Sequence, residues 1–153
     1  EGENRPRYEK LAGGLDNVVF TGWLNAKQIA CMMRMAHIGL AAYRKSAPQG
    51  LPNKIFEYMA AGLPVLSSLS GECERFLEAN ACGVSYAPGS ADSFIEALLP
   101  LVENEKLRKE LGTNGLNSFR SRYAASVVYP QLVEYLEQLN HRVGKHPTVL
   151  ACS

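Results

Sequence analysis

The sequence predicts an α/β fold, a parallel sheet of Rossmann type with flanking helices, and three observations point to it. Short runs of β-branched and small apolar residues recur along the chain, stretches with 3.6-residue apolar spacing separate them, and the connections are short and rich in Gly, Pro, Ser and Asn. A chain of 153 residues, 46% of them hydrophobic and 20% charged, can bury one core of domain size.

Taken in order, residues 17–22 (NVVFTG) read as a strand closed by Gly22. Residues 25–36 read as a helix with Asn25 as N-cap and Ile29, Met32, Met33 and Ala36 on one face. Residues 38–43 (IGLAAY) are apolar and small, which suits a strand buried on both faces. A loop over 44–52 leads into a helix over 53–61, with Ile55, Phe56 and Met59 inward and Gly62 as its stop. The unit repeats with a strand over 64–68, a helix over 71–80 capped by Ser70, and a strand over 83–87 followed by Pro88-Gly89. Helices are expected over 91–103, 105–116 and 124–139, the last kinked or split by Pro130. The domain is expected to span 1–140, with 141–153 as an aperiodic tail.

Composition removes several function classes. Sixteen Lys plus Arg against fifteen Asp plus Glu give a net charge of +1, so no global field attracts nucleic acid. No apolar run approaches the ~20 residues of a bilayer span, and the first residues carry no signal-peptide core, so a cytoplasmic protein is expected. Cys31, Cys73, Cys82 and Cys152 form no C-x-x-C pair, and His37, His141 and His146 are scattered. We expect no metal site and small buried thiols.

Ligands of open α/β sheets bind beyond the carboxyl ends of the strands, which directs attention to 21–25, 43–54 and 67–74. Gly50 and Pro52 shape a tight loop, Asn53 opens a helix, and the first-turn amides of that helix are free to meet phosphate or hydroxyl oxygens. Lys54 can add a positive charge there. Glu57, three residues on, can accept two hydrogen bonds from the vicinal hydroxyls of a ribose; the alternative is an ordinary Lys/Glu pair on a surface helix.

Glu57-Tyr58-Met59-Ala60-Ala61-Gly62-Leu63-Pro64-Val65-Leu66 resembles the second half of the E-x7-E signature in the C-terminal donor-binding domain of GT-B glycosyltransferases, family 4. The first position of that signature holds Gln49, so the chain reads Q-x7-E. Pro52-Asn53-Lys54-Ile55-Phe56-Glu57 is similar to a variant found in branches that build surface polysaccharides. Residues 2–15 and 17–23 resemble the segments that precede and form a strand ending near the nucleotide base, and Ser70-Gly71-Glu72 resembles the turn beside the diphosphate.

The resemblance implies a nucleotide-sugar substrate, most plausibly a UDP-sugar, with no cofactor and no obligatory metal, and retention of anomeric configuration. It implies Glu57 on the ribose, Lys54 and the amides around Gly71 at the diphosphate, Gln49, Gly50 and Leu51 at the sugar, and Gly22 near the base, with Gln49 as the candidate at the reacting centre. Pro52 and Asn53 complete the loop. Glu72 would repel phosphate unless it reaches sugar hydroxyls or serves as a favourable acid in a first helical turn.

The resemblance also implies a strand and a phosphate-binding loop before the matched segments, and an N-terminal acceptor domain. With strand order 3-2-1-4-5-6, loss of the first two strands separates residues 17–22 from the sheet. A fragment, or one half of a split or swapped homo-oligomer, is therefore expected. Two further readings stand beside sugar transfer: a sugar-nucleotide epimerase of the same fold, and a non-catalytic nucleotide-binding or interaction module. Trp23 reads as a half-buried aromatic or a base-stacking one. Tyr43 and Arg44 sit at a strand end where a phosphate contact is available. Lys106, Arg108, Lys109, Arg120 and Arg122 read as a solvated face, or as peripheral contact with the inner face of a membrane.

Overall fold

In a computed structural model of the chain, residues 2–143 are described, and the chain divides into two compact units, the first ending at Met35 and the second beginning at Ala36. In the first unit α1 (Arg5–Leu11) carries Pro6 in its opening turn, where a missing N–H costs no hydrogen bond. An Arg5–Glu9 ion pair of 2.6 Å spans one turn. Helix α2 (Ala26–Met35) starts where expected: Asn25 Oδ1 accepts from the Gln28 amide at 3.0 Å, and Gln28 Oε1 accepts from the Asn25 amide at 2.9 Å.

Three expectations for this unit are corrected. Residues 17–22 are not a strand. The unit holds no second strand among its described residues, so the backbone groups of 17–22 have no ladder to join, and Val18, Val19 and Phe20 stay exposed. Ile29 and Met32, expected on a core-facing stripe, are exposed too, and Trp23 is 89% exposed rather than half-buried.

The second unit contains the predicted parallel sheet. Strands β1 (Gly39–Ala41), β2 (Val65–Ser67) and β3 (Gly83–Ser85) lie in the order β1-β2-β3, with Leu40 opposite Leu66 and Leu66 opposite Val84. Each is shorter than its apolar run, because pairing stops where the chain turns into the rim loops. Helix α3 (Asn53–Ala60) connects β1 to β2, and α4 (Glu72–Ala79) connects β2 to β3.

Gly62, at φ +71°, ends α3 as expected. Its amide donates to Met59 O at 3.0 Å and the Leu63 amide to Tyr58 O at 3.0 Å, the paired bonds of a Schellman motif. Helix α4 is capped at Gly71 and not at Ser70. The φ of +74° at Gly71 makes the turn, and Glu74 Oε2 accepts from its amide at 3.4 Å.

Ala41, Ile55, Met59, Val65, Leu69, Cys73, Leu77 and Cys82 make one buried cluster. Cys73 and Cys82 act as the small buried hydrophobes expected, whereas Cys31 is exposed on α2. Cys152 and His146 lie outside the described residues. Phe56, Phe76 and Tyr123 close one side, with ring centroids 5.3–5.4 Å apart.

Helices α5 (Ala91–Glu103) and α6 (Glu105–Ser118) are capped by Ser90 (3.1 Å to Ser93 N) and Asn104 (3.0 Å to Leu107 N). A π-helical turn, Phe119–Tyr123, leads to α7 (Ala125–Val143). Pro130 does not split α7. It lies in the second turn and takes away only the bond to the Ser126 carbonyl, at an exposed position. The helix also runs three residues past the expected tail boundary at Asn140. No helix among the described residues is long and apolar enough to cross a membrane.

Candidate functional site

The carboxyl ends of β1 and β2 are tied together by Ser68. Its Oγ accepts from the Tyr43 amide at 2.6 Å and donates to the Tyr43 carbonyl at 2.9 Å. A buried hydroxyl of this kind satisfies two backbone groups just where the ladder ends, and so fixes the path of the loop that follows. Ser67 does the same one residue earlier: its Oγ accepts from the Leu69 amide at 3.2 Å. Nothing in the hydropathy pattern singles out these serines, which read there as ordinary strand-end residues.

From this anchored point the chain runs through Gln49, Gly50 and Leu51 to Pro52, whose extended conformation (φ −77°, ψ 152°) starts α3. Proline suits the place, since its fixed φ leads into a helix and no N–H is wanted there. Among the described residues no side chain caps this helix start, so its first-turn amides have no side-chain partner there. Leu51 and Pro52 are half-buried against the core, while Gln49, Gly50, Asn53, Lys54 and Glu57 are exposed.

Ile55 and Met59 occupy the buried face of α3, which leaves Lys54 and Glu57 on its open face. They do not form the ordinary surface pair that their spacing allows: among the described residues neither makes an ion pair or a side-chain hydrogen bond. The Glu57 carboxylate is felt nearby. Burial, then the negative charge of Glu57, holds the Tyr58 hydroxyl above its ordinary pKa. Tyr58 itself is structural; its hydroxyl donates to Leu40 O at 3.0 Å and its ring lies over Gly39.

The structure brings the second rim loop to the first. A Cβ built on Gly50 would overlap Glu72 Oε2 and lie 3.4 Å from Glu72 Cδ, so the carboxylate at the start of α4 rests against the loop that precedes α3. Gly71 and Glu72 are both exposed. Sequence reasoning missed Arg75, whose Nε donates to Gly71 O at 3.2 Å and which sets a positive charge beside the α4 start. A basic residue one turn into that helix is the signal that was there to find.

Gly22 belongs to the first unit. There, at φ +69°, it lines a cavity of about 430 Å³ with Asn4, Tyr8, Val19, Phe20 and Thr21. Residues 2–8 and 19–22 thus come together within that unit.

Elsewhere, three of the five late basic residues already have partners within the chain, Lys109 in an exposed pair. Arg108 donates to Leu101 O and Val102 O at 2.7 Å each, Lys109 pairs with Glu105 at 2.6 Å, and Arg122 donates to the buried Asn80 Oδ1 at 2.6 Å. Arg44 is exposed and Tyr43 packs on the core. Among the described residues no three His, Cys, Asp or Glu side chains gather as a metal site would require.

Chemically, the second unit offers an open rim with two carboxylates and an ammonium that have no partner among the described residues, an amide side chain and outward backbone amides. That set of groups suits a polyhydroxylated anion. A curated β-mannosyltransferase of Kluyveromyces lactis, named as acting on chitobiosyldiphosphodolichol, is 24% identical over 104 residues, covering 68% of this chain and 23% of that protein. The phosphatidyl-myo-inositol mannosyltransferase of Mycobacterium leprae is 31% identical over 127 residues, covering 82% of this chain and 33% of its own length. The chain therefore spans a third or less of these two relatives. No solved structure matches. The family model for glycosyl transferases group 1 matches residues 1–104, about two thirds of the 153, and includes the α3 and α4 rim; the chain belongs to that family.

Proposed function

We propose that the chain is the nucleotide-sugar-binding part of a retaining glycosyltransferase that moves a sugar from a nucleoside diphosphate to a glycan or lipid-linked acceptor. The observation that carries this reading is the meeting of the two rim loops, with Glu57 and Lys54, unpaired among the described residues, on the same helix that the loop begins. In this reading Glu57 accepts the ribose hydroxyls, and Lys54 and the amides following Gly71 face the diphosphate. Gln49, Gly50, Leu51, Pro52 and Asn53 form the loop at the sugar, with Gln49 nearest the reacting carbon.

Catalysis then rests on stabilising the departing nucleoside diphosphate and on holding the acceptor, which calls for no protein nucleophile and no cofactor. An acceptor-binding domain supplied by the rest of a longer chain, or by a partner, completes the cleft. The family supports sugar transfer over epimerisation, and both relatives named above are mannosyltransferases. A UDP-sugar is the donor we assign; the mannosyl transfer in both relatives' names makes GDP the competing base to test.

Calorimetric titration of the purified chain with UDP, GDP and ADP tests the proposal. Saturable binding of one nucleoside diphosphate in preference to the other two supports it. Equal, non-saturable responses to all three by a folded chain overturn it.

A further inference from the structure

The loop at Gln49 lacks the carboxylate that an E-x7-E signature would place there, yet a carboxylate occupies that loop. It comes from Glu72, across the rim, at the start of α4. We infer that Glu72 is the carboxylate of the sugar subsite, held there by the absence of a side chain at Gly50, and that it selects a neutral or amino sugar over an acidic one. The inference rests on the donor-site reading above.

Three features carry it. The Glu72 carboxylate lies against the Gly50 backbone, one residue from Gln49, which gives its place along the loop. It makes no hydrogen bond or ion pair within the described residues, so both oxygens keep their acceptor capacity for hydroxyl groups. The other acid of the first α4 turn, Glu74, is turned back onto the Gly71 amide, so capping does not require Glu72. Gln49 and Glu72 then form a mixed pair. The amide donates and accepts, while the carboxylate only accepts and brings a negative charge to the loop; Glu74 and Arg75, one on the Gly71 amide and the other on its carbonyl, lie at the same helix start with opposite charges.

A carboxylate so placed has two effects on a donor. It accepts hydrogen bonds from vicinal sugar hydroxyls, and charge-assisted bonds of that kind are worth about tenfold or more in affinity. It also opposes a second carboxylate, so a uronic-acid donor binds more weakly than its neutral counterpart.

The test measures the affinity of the 153-residue chain for UDP, UDP-glucose and UDP-glucuronate, with GDP and GDP-mannose in parallel, for the wild type, Glu72→Gln and Gly50→Ala. The readout is the ratio of nucleotide-sugar to nucleotide affinity. In the wild type the neutral sugar strengthens binding and the uronate weakens it. Glu72→Gln removes roughly tenfold of the neutral-sugar gain and relieves the uronate penalty. Gly50→Ala gives the same loss with Glu72 intact, because the new Cβ must push the flexible end of that side chain off the loop.

Circular dichroism on each variant confirms an unchanged fold. Ratios unaltered by Glu72→Gln, in a chain that binds the nucleotide, overturn the inference and leave the nucleotide site standing. Absence of nucleotide binding overturns both.

Discussion

At Glu57 the physical situation is simple: an exposed carboxylate, unpaired among the described residues, sits one turn into a helix whose start is open. Glu57→Ala is therefore expected to leave folding intact and to weaken nucleoside diphosphate binding by roughly 1–3 kcal/mol, the worth of a lost charge-assisted hydrogen bond; titration of both proteins with the preferred nucleotide reads it directly. The thiols make a different residue-scale prediction. Burial raises Cys82 from an ordinary 9.0 to about 11, with the neighbouring Cys73 adding to the shift. The folded state thus holds a proton that the unfolded chain releases, so this contribution to stability is whole below pH 9 and is lost as the pH rises toward 11. The Tyr58 hydroxyl, raised by burial, acts in the same direction above its ordinary 10.0. Melting temperatures measured from about pH 8 to 11 should fall, and Cys82→Ala should make the fall shallower. The residues Glu57, Lys54 and Gly50 could be singled out as candidates because their spacing sits next to a helix start, and Gln49 through the Q-x7-E resemblance. Ser68 and Arg75 were not, since their meaning lies in contacts with Tyr43 and Gly71 that no periodicity displays.

Helices and strands were legible wherever local pattern and tertiary partner agree. The Asn25 cap and the Gly62 stop declare themselves in sequence, because a cap is a local hydrogen bond, whereas the cap of α4 falls at Gly71 and not at the expected Ser70, and the Ser90 and Asn104 caps were not singled out. The segment 17–22 has as good a strand composition as 38–43, but a strand exists only when something pairs with it, and pairing partners are not written in the segment itself. Close approach between elements is equally silent. Gly112 on α6 lies against the backbone carbonyl of Gly62, so a Cβ there would meet an atom that has no flexible end to swing aside. Gly112→Ala, although it raises helix propensity, is expected to destabilise the second unit by about 1–3 kcal/mol through overpacking. Denaturant titration against the wild type checks it, and a gain in stability would show that the α6 contact with the α3 stop is looser than the geometry indicates.

For the whole molecule, the two units differ in kind. Every buried residue among those described lies in the second unit, between Gly39 and Gly115, and the parallel sheet with its crossover helices is complete within it. In the first unit no described residue is buried, and its helices are held by a capping box, an Arg5–Glu9 pair and turn hydrogen bonds. Helices of seven and ten residues without a buried face are marginal in water, because nucleation is costly and packing supplies most helical stability. Cooperative unfolding should accordingly belong to the second unit. A chain beginning at Ala36 is expected to melt in a single transition within a few degrees of the full-length protein, and a peptide ending at Met35 to show little helix by circular dichroism. Loss of that transition on removal of residues 1–35 would overturn the assignment of cooperative unfolding to the second unit.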